Sequence, residues 1–254
     1  MGLQYRAAAV GGIFTRFLWG LLGVLLYATF YRADPSAFPM EFSALSAYLW
    51  LQEAFLLLFQ NWYIENELLF AVSEGQVAYE LARPVDLYGM WMARSYANRL
   101  SRTLLSGAPL LALAALIPAP YGLGPPASWP ALGLTLVSAL LGLTVTVSIT
   151  LLLCGMTFYT ISPRGIRGLL DPVSLLLAGG VVPLPFWPDG LRQAAELLPF
   201  ASMQNAPLRI YGGDLAGWDA LTAIGLQTFW AVVLVALGRL LVARGVRKTV
   251  VQGG

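Results

Sequence analysis

The stretch Ile64–Arg102, IENELLFAVSEGQVAYELARPVDLYGMWMARSYANRLSR, decides how the rest of the chain is read, because it is the long segment that lipid will not accept. It holds Glu65, Glu67, Glu74, Glu80 and Asp86 together with Arg83, Arg94, Arg99 and Arg102. Each of these charges would cost about 2.5–3.5 kcal/mol at a bilayer centre. The island therefore belongs in water or at the membrane interface. Within it Leu68, Leu69, Val72, Gln76 and Tyr79 fall at a loose helical spacing. Pro84 disfavours helical backbone at the residue before it, so a helix is expected to stop near Ala82 or Arg83. Two readings stay open on composition: a short helix crossing the membrane face, or an ordinary loop holding two membrane helices apart.

Around the island the chain is 58% hydrophobic and only 11% charged, where a soluble domain would be about one-quarter charged. It reads as an integral membrane protein. At about 20 residues per span, its 254 residues give room for about six spans and no separate soluble domain. The expected fold is all-α and polytopic, a single transmembrane domain over residues 1–254. A net charge of +2, with basic residues scattered between apolar runs, gives no footprint for nucleic acid. Cys154 stands alone in an apolar run and reads as a small packing residue. The first residues, MGLQYRAAAVGGIFTRFLWGLLGVLLYATFYR, have the basic flank and apolar core of a signal peptide but no small-x-small site after the core. They are read as an uncleaved first span. Arg6 stands where myristoylation wants Ser or Thr.

The first span is expected over about residues 11–31, with Arg16 snorkelling, and the second over about 44–63. The second carries Gln52 and Glu53. Its eight Leu and Phe side chains favour insertion by about 4 kcal/mol against about 3 lost to the acid, so Glu53 should face protein or water. Glu53 is either a polar lining of a path or a proton site, or else a side chain hydrogen-bonded to a neighbouring helix. The third span is expected over about 103–117, longer if it borrows Tyr96–Arg102, with Pro109 inside it. The fourth, over about 132–158, carries Ser138, Gly142, Thr146, Thr150 and Cys154 every four residues. Such a stripe lets another helix approach closely, within the chain or across a dimer seam. The fifth, over about 168–182, begins with Asp171 and Pro172 and ends in Gly and Pro, a broken helix. Two pieces too short to span then fill 186–215. The first is amphipathic with Asp189 near its N-cap, and together they form an outer interfacial or re-entrant hairpin. The sixth span is expected over about 218–241.

With both termini inside, only Arg32, Arg192 and Arg209 of the 15 basic residues fall outside, a strong positive-inside bias. Trp129, Trp187 and Trp218 then gather at the outer interface, an agreement not used to choose the orientation.

No histidine occurs, which removes His-based nucleophiles and His metal sites. Lys248 has no glycine-rich loop before it, so a Walker A phosphate cradle is excluded. No catalytic, cofactor-binding or metal residue is expected, and Glu53 alone does not make a lipid-modifying enzyme.

EGQVAYELARPV in the island is similar to the Gly-x5-Leu-x-Arg-Pro signature that follows the second span in the bacterial six-span ABC type 2 exporter permeases. Residues 179–213, GGVVPLPFWPDGLRQAAELLPFASMQNAPLRIYGG, resemble the end of their fifth span and their outer hairpin. The sixth span, LQTFWAVVLVALGRLL, and the closing Gly-Gly fit as well. The resemblance implies a permease subunit of an exporter in the bacterial cytoplasmic membrane, working as a dimer of identical or related permeases. Two separate ATPase subunits would bind the ATP and Mg. It places a coupling helix between the second and third spans, with Gly75, Leu81, Arg83 and Pro84 on the signature; Ala82 departs from the leucine common there. It places Gly179, Gly180, Pro183, Phe186, Pro188, Leu198, Pro199, Phe200 and Pro207 in the outer gate or hairpin. A non-transporting six-span immunity or scaffold protein is the alternative, separated by whether an ATPase co-purifies.

Overall fold

The computed structural model describes residues 2–60, 68, 69, 72, 77–81, 83–159 and 163–247. Their regular structure is helical throughout. In order these are α1 (Gly2–Ala33), α2 (Phe42–Ala54), α3 (Leu56–Phe59), α4 (Val77–Leu81) and α5 (Leu87–Ala115), then α6 (Trp129–Thr157), α7 (Pro163–Leu177), α8 (Asp189–Glu196), α9 (Ala201–Gly212) and α10 (Gly217–Val246). Three stretches, Val10–Ala33, Trp129–Thr157 and Gly217–Val246, are long and apolar enough to cross a bilayer unaided. They correspond to the first, fourth and sixth expected spans.

The other three depart from expectation, each for a local reason. The second is broken: α2 ends at Ala54, Phe55 turns at φ −95° and ψ 10°, and α3 adds one turn to Phe59. The third starts at Leu87 instead of near Thr103, and Asp86 caps it by accepting from the Gly89 N–H at 2.9 Å. Trp91, Ser95, Arg99 and Thr103, four residues apart, form one buried face of α5, while Arg94 and Arg102 are exposed. The back half of the polar island is thus an amphipathic helix, and counting charges alone misplaced its start. The fifth ends early, at Leu177. The Gly179 N–H bonds Leu176 O at 3.0 Å and the Gly180 N–H bonds Leu175 O at 2.8 Å, with Gly179 at φ +77°. This double closure needs a left-handed residue, which glycine supplies without a steric cost.

At the centre lies α6, touched by α10 and α9 and also by α5, α7 and α3. Its stripe Ser138, Gly142, Thr146, Thr150 and Cys154 is buried and covered by this chain itself. The closest approach is at Gly142, where a Cβ would stand 2.1 Å from Met203 O on α9. Pro207 explains why that carbonyl is there: it lacks the N–H that would take Met203 O within the helix, so α9 presents a freed acceptor to the Cα of α6.

Gly142→Val should therefore separate α6 from α9 and destabilise the fold by about 1–3 kcal/mol. Thermal unfolding in detergent measures it, and an unchanged midpoint would contradict the packing.

Candidate functional site

Two regions carry the residues singled out from sequence, the segment before α5 and the hairpin after α7. In the first, α4 ends at Leu81 and the chain bends through Arg83, Pro84 and Val85, with the Arg83 N–H on Glu80 O at 3.2 Å. Helical geometry is lost by Arg83, in agreement with the expected stop; Gly75 and Ala82 lie outside the described residues. This piece is held from behind. Glu80 accepts from Trp91 Nε1 at 2.6 Å and pairs with Arg94 at 3.5 Å, both on α5. One turn on, Asp86 pairs with Arg239 of α10 at 3.0 Å. The outward side carries Tyr79, Leu81 and Val85, which are 81%, 36% and 57% exposed. An apolar knob of this kind, clamped by polar contacts to two long helices, can transmit force from whatever covers it.

The hairpin residues are spread along the chain from the end of α7 to α9 and are not gathered at one point. Gly180 O accepts from Gln52 Nε2 on α2 at 2.9 Å. Pro183 is buried, and the Phe186 ring packs tilted against Tyr27 of α1 and edge-on against Phe38, with 5.2 Å between ring centres in each pair. Pro188 precedes α8; Asp189 is that helix's first residue, not its cap, and pairs with Arg192 at 2.9 Å. Leu198 and Pro199 make the turn between α8 and α9, Phe200 precedes α9, and Pro207 lies buried inside it. α9 is buried along nearly its whole length and so is inserted among neighbouring helices, whereas α8 buries only Ala195 and lies at the surface. The end of α9 is tied to the loop before α6: Tyr211 OH donates to Gly124 O at 2.9 Å and the Ala127 N–H to Tyr211 O at 3.0 Å.

Glu53 is half-buried on α2, and its carbonyl accepts from Arg16 Nη1 at 3.1 Å, beside the break at Phe55.

Three anchors escaped the sequence reading. Arg99 is only 6% exposed and donates to Leu58 O at 3.1 Å, to Gln60 O at 3.0 Å and to Thr150 Oγ1 at 3.2 Å, closing the end of α3. Gln227 on α10 donates to Ser202 O at 2.9 Å and to Ser138 O at 3.1 Å, and accepts from Ser138 Oγ at 2.8 Å, which joins α9, α6 and α10. Glu80 is the third. The available signal for Gln227 was a polar residue inside an apolar run; for Arg99 and Glu80 the partners lie across breaks that no periodicity bridges.

Residues 42–253 match the family model described as ABC-2 family transporter protein. The chain belongs to the ABC-2 family of transporter proteins. No curated protein and no solved structure matches it. This ABC-2 protein is accordingly a permease, a transmembrane transporter subunit of a family whose members are not themselves enzymes and work with an ATP-binding partner in general.

Arg99→Met in this permease should leave the Leu58 and Gln60 carbonyls without their donor and cost at least about 2 kcal/mol. Arg99→Lys should recover only part, since one ammonium cannot reproduce the fork. A methionine variant that melts with the parent would refute the anchor role.

Proposed function

We propose that this permease is half of the membrane part of an exporter, and that a separate ATPase docks on the segment containing α4. The observation that carries the reading is the two-faced construction of that segment: Glu80 and Asp86 tie its back to α5 and α10, while Tyr79, Leu81, Arg83 and Val85 stand outward. A partner that closes on ATP would move α4, and the two long helices tied to it would carry the displacement towards the hairpin. Gly179, Gly180 and the proline-rich turns that follow are the natural outer gate, because α7 ends there and the chain re-enters. Two permease copies or close relatives would complete the path, with six crossings and both termini in the cytoplasm of a bacterium. The substrate would leave by alternating access. The positive-inside bias supports that orientation, and the match to the ABC-2 model supports the ATPase.

Affinity purification of the tagged permease from its native membrane should bring down an ABC ATPase in stoichiometric amount. Tyr79→Ala with Arg83→Ala should reduce that recovery about tenfold, the loss expected when a buried aromatic anchor is truncated. Glu80→Gln should instead retain the ATPase and lower transport per ATP hydrolysed. Arg83→Cys in sealed cells should react with a membrane-impermeant thiol reagent only after permeabilisation. Labelling from outside, or recovery with no ATPase, would overturn the proposal, the second outcome favouring a non-transporting membrane protein.

A further inference from the structure

A pocket of about 340 Å³ opens where α1 ends, between that end, the start of α2 and the loop leading from α5 to α6. That is within the range of small-molecule sites, about 300–1,000 Å³. Its level in the membrane follows from α1. The stretch able to cross a bilayer is Val10–Ala33, so Arg32 stands where hydrocarbon gives way to head groups. Tyr31, Phe42 and Tyr121 give the pocket an aromatic wall, the Phe42 ring centre lying 5.2 Å from that of Tyr31 and 5.7 Å from that of Tyr121. Arg32, Glu41 and Ser43 also line it, and all three are exposed residues.

Two opposite charges share this space without meeting. Arg32 and Glu41 both line the pocket, yet neither makes an ion pair among the described residues. Asp34, the acid nearest to Arg32 in the chain, turns to Ser36 instead, taking its N–H at 3.0 Å and its hydroxyl at 2.6 Å. Arg32 spends Nη2 on the Tyr121 hydroxyl at 2.5 Å, with its guanidinium carbon 5.8 Å from the centre of that ring. The contact fixes the guanidinium and leaves Nη1 and Nε without an acceptor among the described residues. The Tyr121 hydroxyl, having accepted one bond, keeps its own proton to donate.

An anion in this pocket would satisfy Arg32 and Tyr121 but add to the charge of Glu41, and a cation would do the reverse. A neutral polyol would answer neither charge. A zwitterion carrying a phosphate and an ammonium answers both, and the guanidinium fork suits phosphate in particular. A phospholipid adds what a soluble zwitterion lacks. On the membrane side of Arg32, α1 leaves Leu22, Leu26 and Phe30 exposed, apolar surface on which acyl chains can lie.

We propose that this pocket holds the head group of a zwitterionic phospholipid, its phosphate on Arg32 and the Tyr121 hydroxyl, its ammonium on Glu41 and its acyl chains along α1. The pocket is built by this chain alone, so the inference stands or falls separately from the ATPase partnership.

The test is native mass spectrometry of the full chain in detergent, titrated with dioctanoyl phosphatidylethanolamine, dioctanoyl phosphatidylglycerol and dioctanoyl trimethylammonium-propane. These share their chains and differ in head-group charge. The zwitterion should fill its first site at least about fivefold more tightly than the anion or the cation, the low end for bonds to charged groups in a partly wet site. Arg32→Gln should weaken the zwitterion by about fivefold or more. Glu41→Gln should abolish the preference for zwitterion over anion, a change of selectivity that a merely structural role would not produce. Both positions are exposed, and a melting midpoint near the parent's checks each fold. Should Arg32→Gln not fold, Glu41→Gln decides alone. Equal affinity for the three lipids, an unchanged zwitterion affinity in Arg32→Gln or an unchanged selectivity in Glu41→Gln overturns the assignment. Glycerophosphoethanolamine, the same head group without chains, separates the sources: displacement of the lipid by an equal concentration of it makes the occupant a soluble zwitterion and overturns the lipid assignment, and failure to displace supports it.

Discussion

Backbone that leaves helical geometry inside a bilayer must find its hydrogen bonds within the protein, and this permease depends on long side chains to supply them. Each break has its own donor. Arg16 reaches Glu53 O beside the turn at Phe55, and Arg99 reaches Leu58 O and Gln60 O where α3 ends. Gln52 reaches Gly180 O beyond the end of α7. In lipid an unmet carbonyl costs several kcal/mol, so these contacts are a condition for having breaks at all. Among the described residues the buried polar set is made of hydroxyls, a few amides and the guanidinium of Arg99, with no carboxylate, as expected where carbonyls call for donors.

The same constraint shapes the contact between α6 and α9. Pro207 removes one N–H from α9 and so frees Met203 O, and the sequence answers with Gly142, which brings the α6 backbone close enough to meet it. Gln227 then fastens both helices to α10 by way of Ser138 and Ser202. Small residues and a single amide thus build a three-helix junction that apolar packing alone would not specify, since lipid tails compete for apolar surface on equal terms.

Much of this was legible in the sequence where a pattern is local. Long apolar runs placed α1, α6 and α10. Pro84 marked the end of α4 to within a residue or two, and the Gly-Gly after α7 marked its closure. The four-residue stripe on α6 announced a close helix contact, though not that α9 and α10 would be the helices to make it. What stayed hidden depends on partners far along the chain. Arg99 looks on composition like one more charge of a polar island, and only the carbonyls of α3, some 40 positions earlier, make it a buried anchor. The start of α5 was misplaced for that reason. A rule that expels charge from lipid assumes the charge is unsatisfied, and here it is not. Glu80 and Asp86 were visible as acids, but the bend that turns them towards Trp91 and Arg239 was not.

The placement of these contacts along α10 bears on how the proposed docking segment and the hairpin are related. Near one end of that helix Arg239 holds Asp86, three residues beyond Arg83. Farther along it, Trp230 Nε1 donates to Leu197 O at 3.0 Å and Gln227 holds Ser202, both in the hairpin. α5 runs a parallel course, with Glu80 bound at Trp91 and Arg94 and the α2–α3 break bound at Arg99. The segment containing α4 and the hairpin after α7 are therefore both fastened to α10, while α5 joins that segment to the α2–α3 break. A short push at α4 meets stiff helices whose far contacts are directional hydrogen bonds, and such contacts either hold or exchange partners; they do not stretch. That is the mechanical property a gate worked from a distance requires, and it rests on polar groups that the apolar character of the chain would not by itself have suggested.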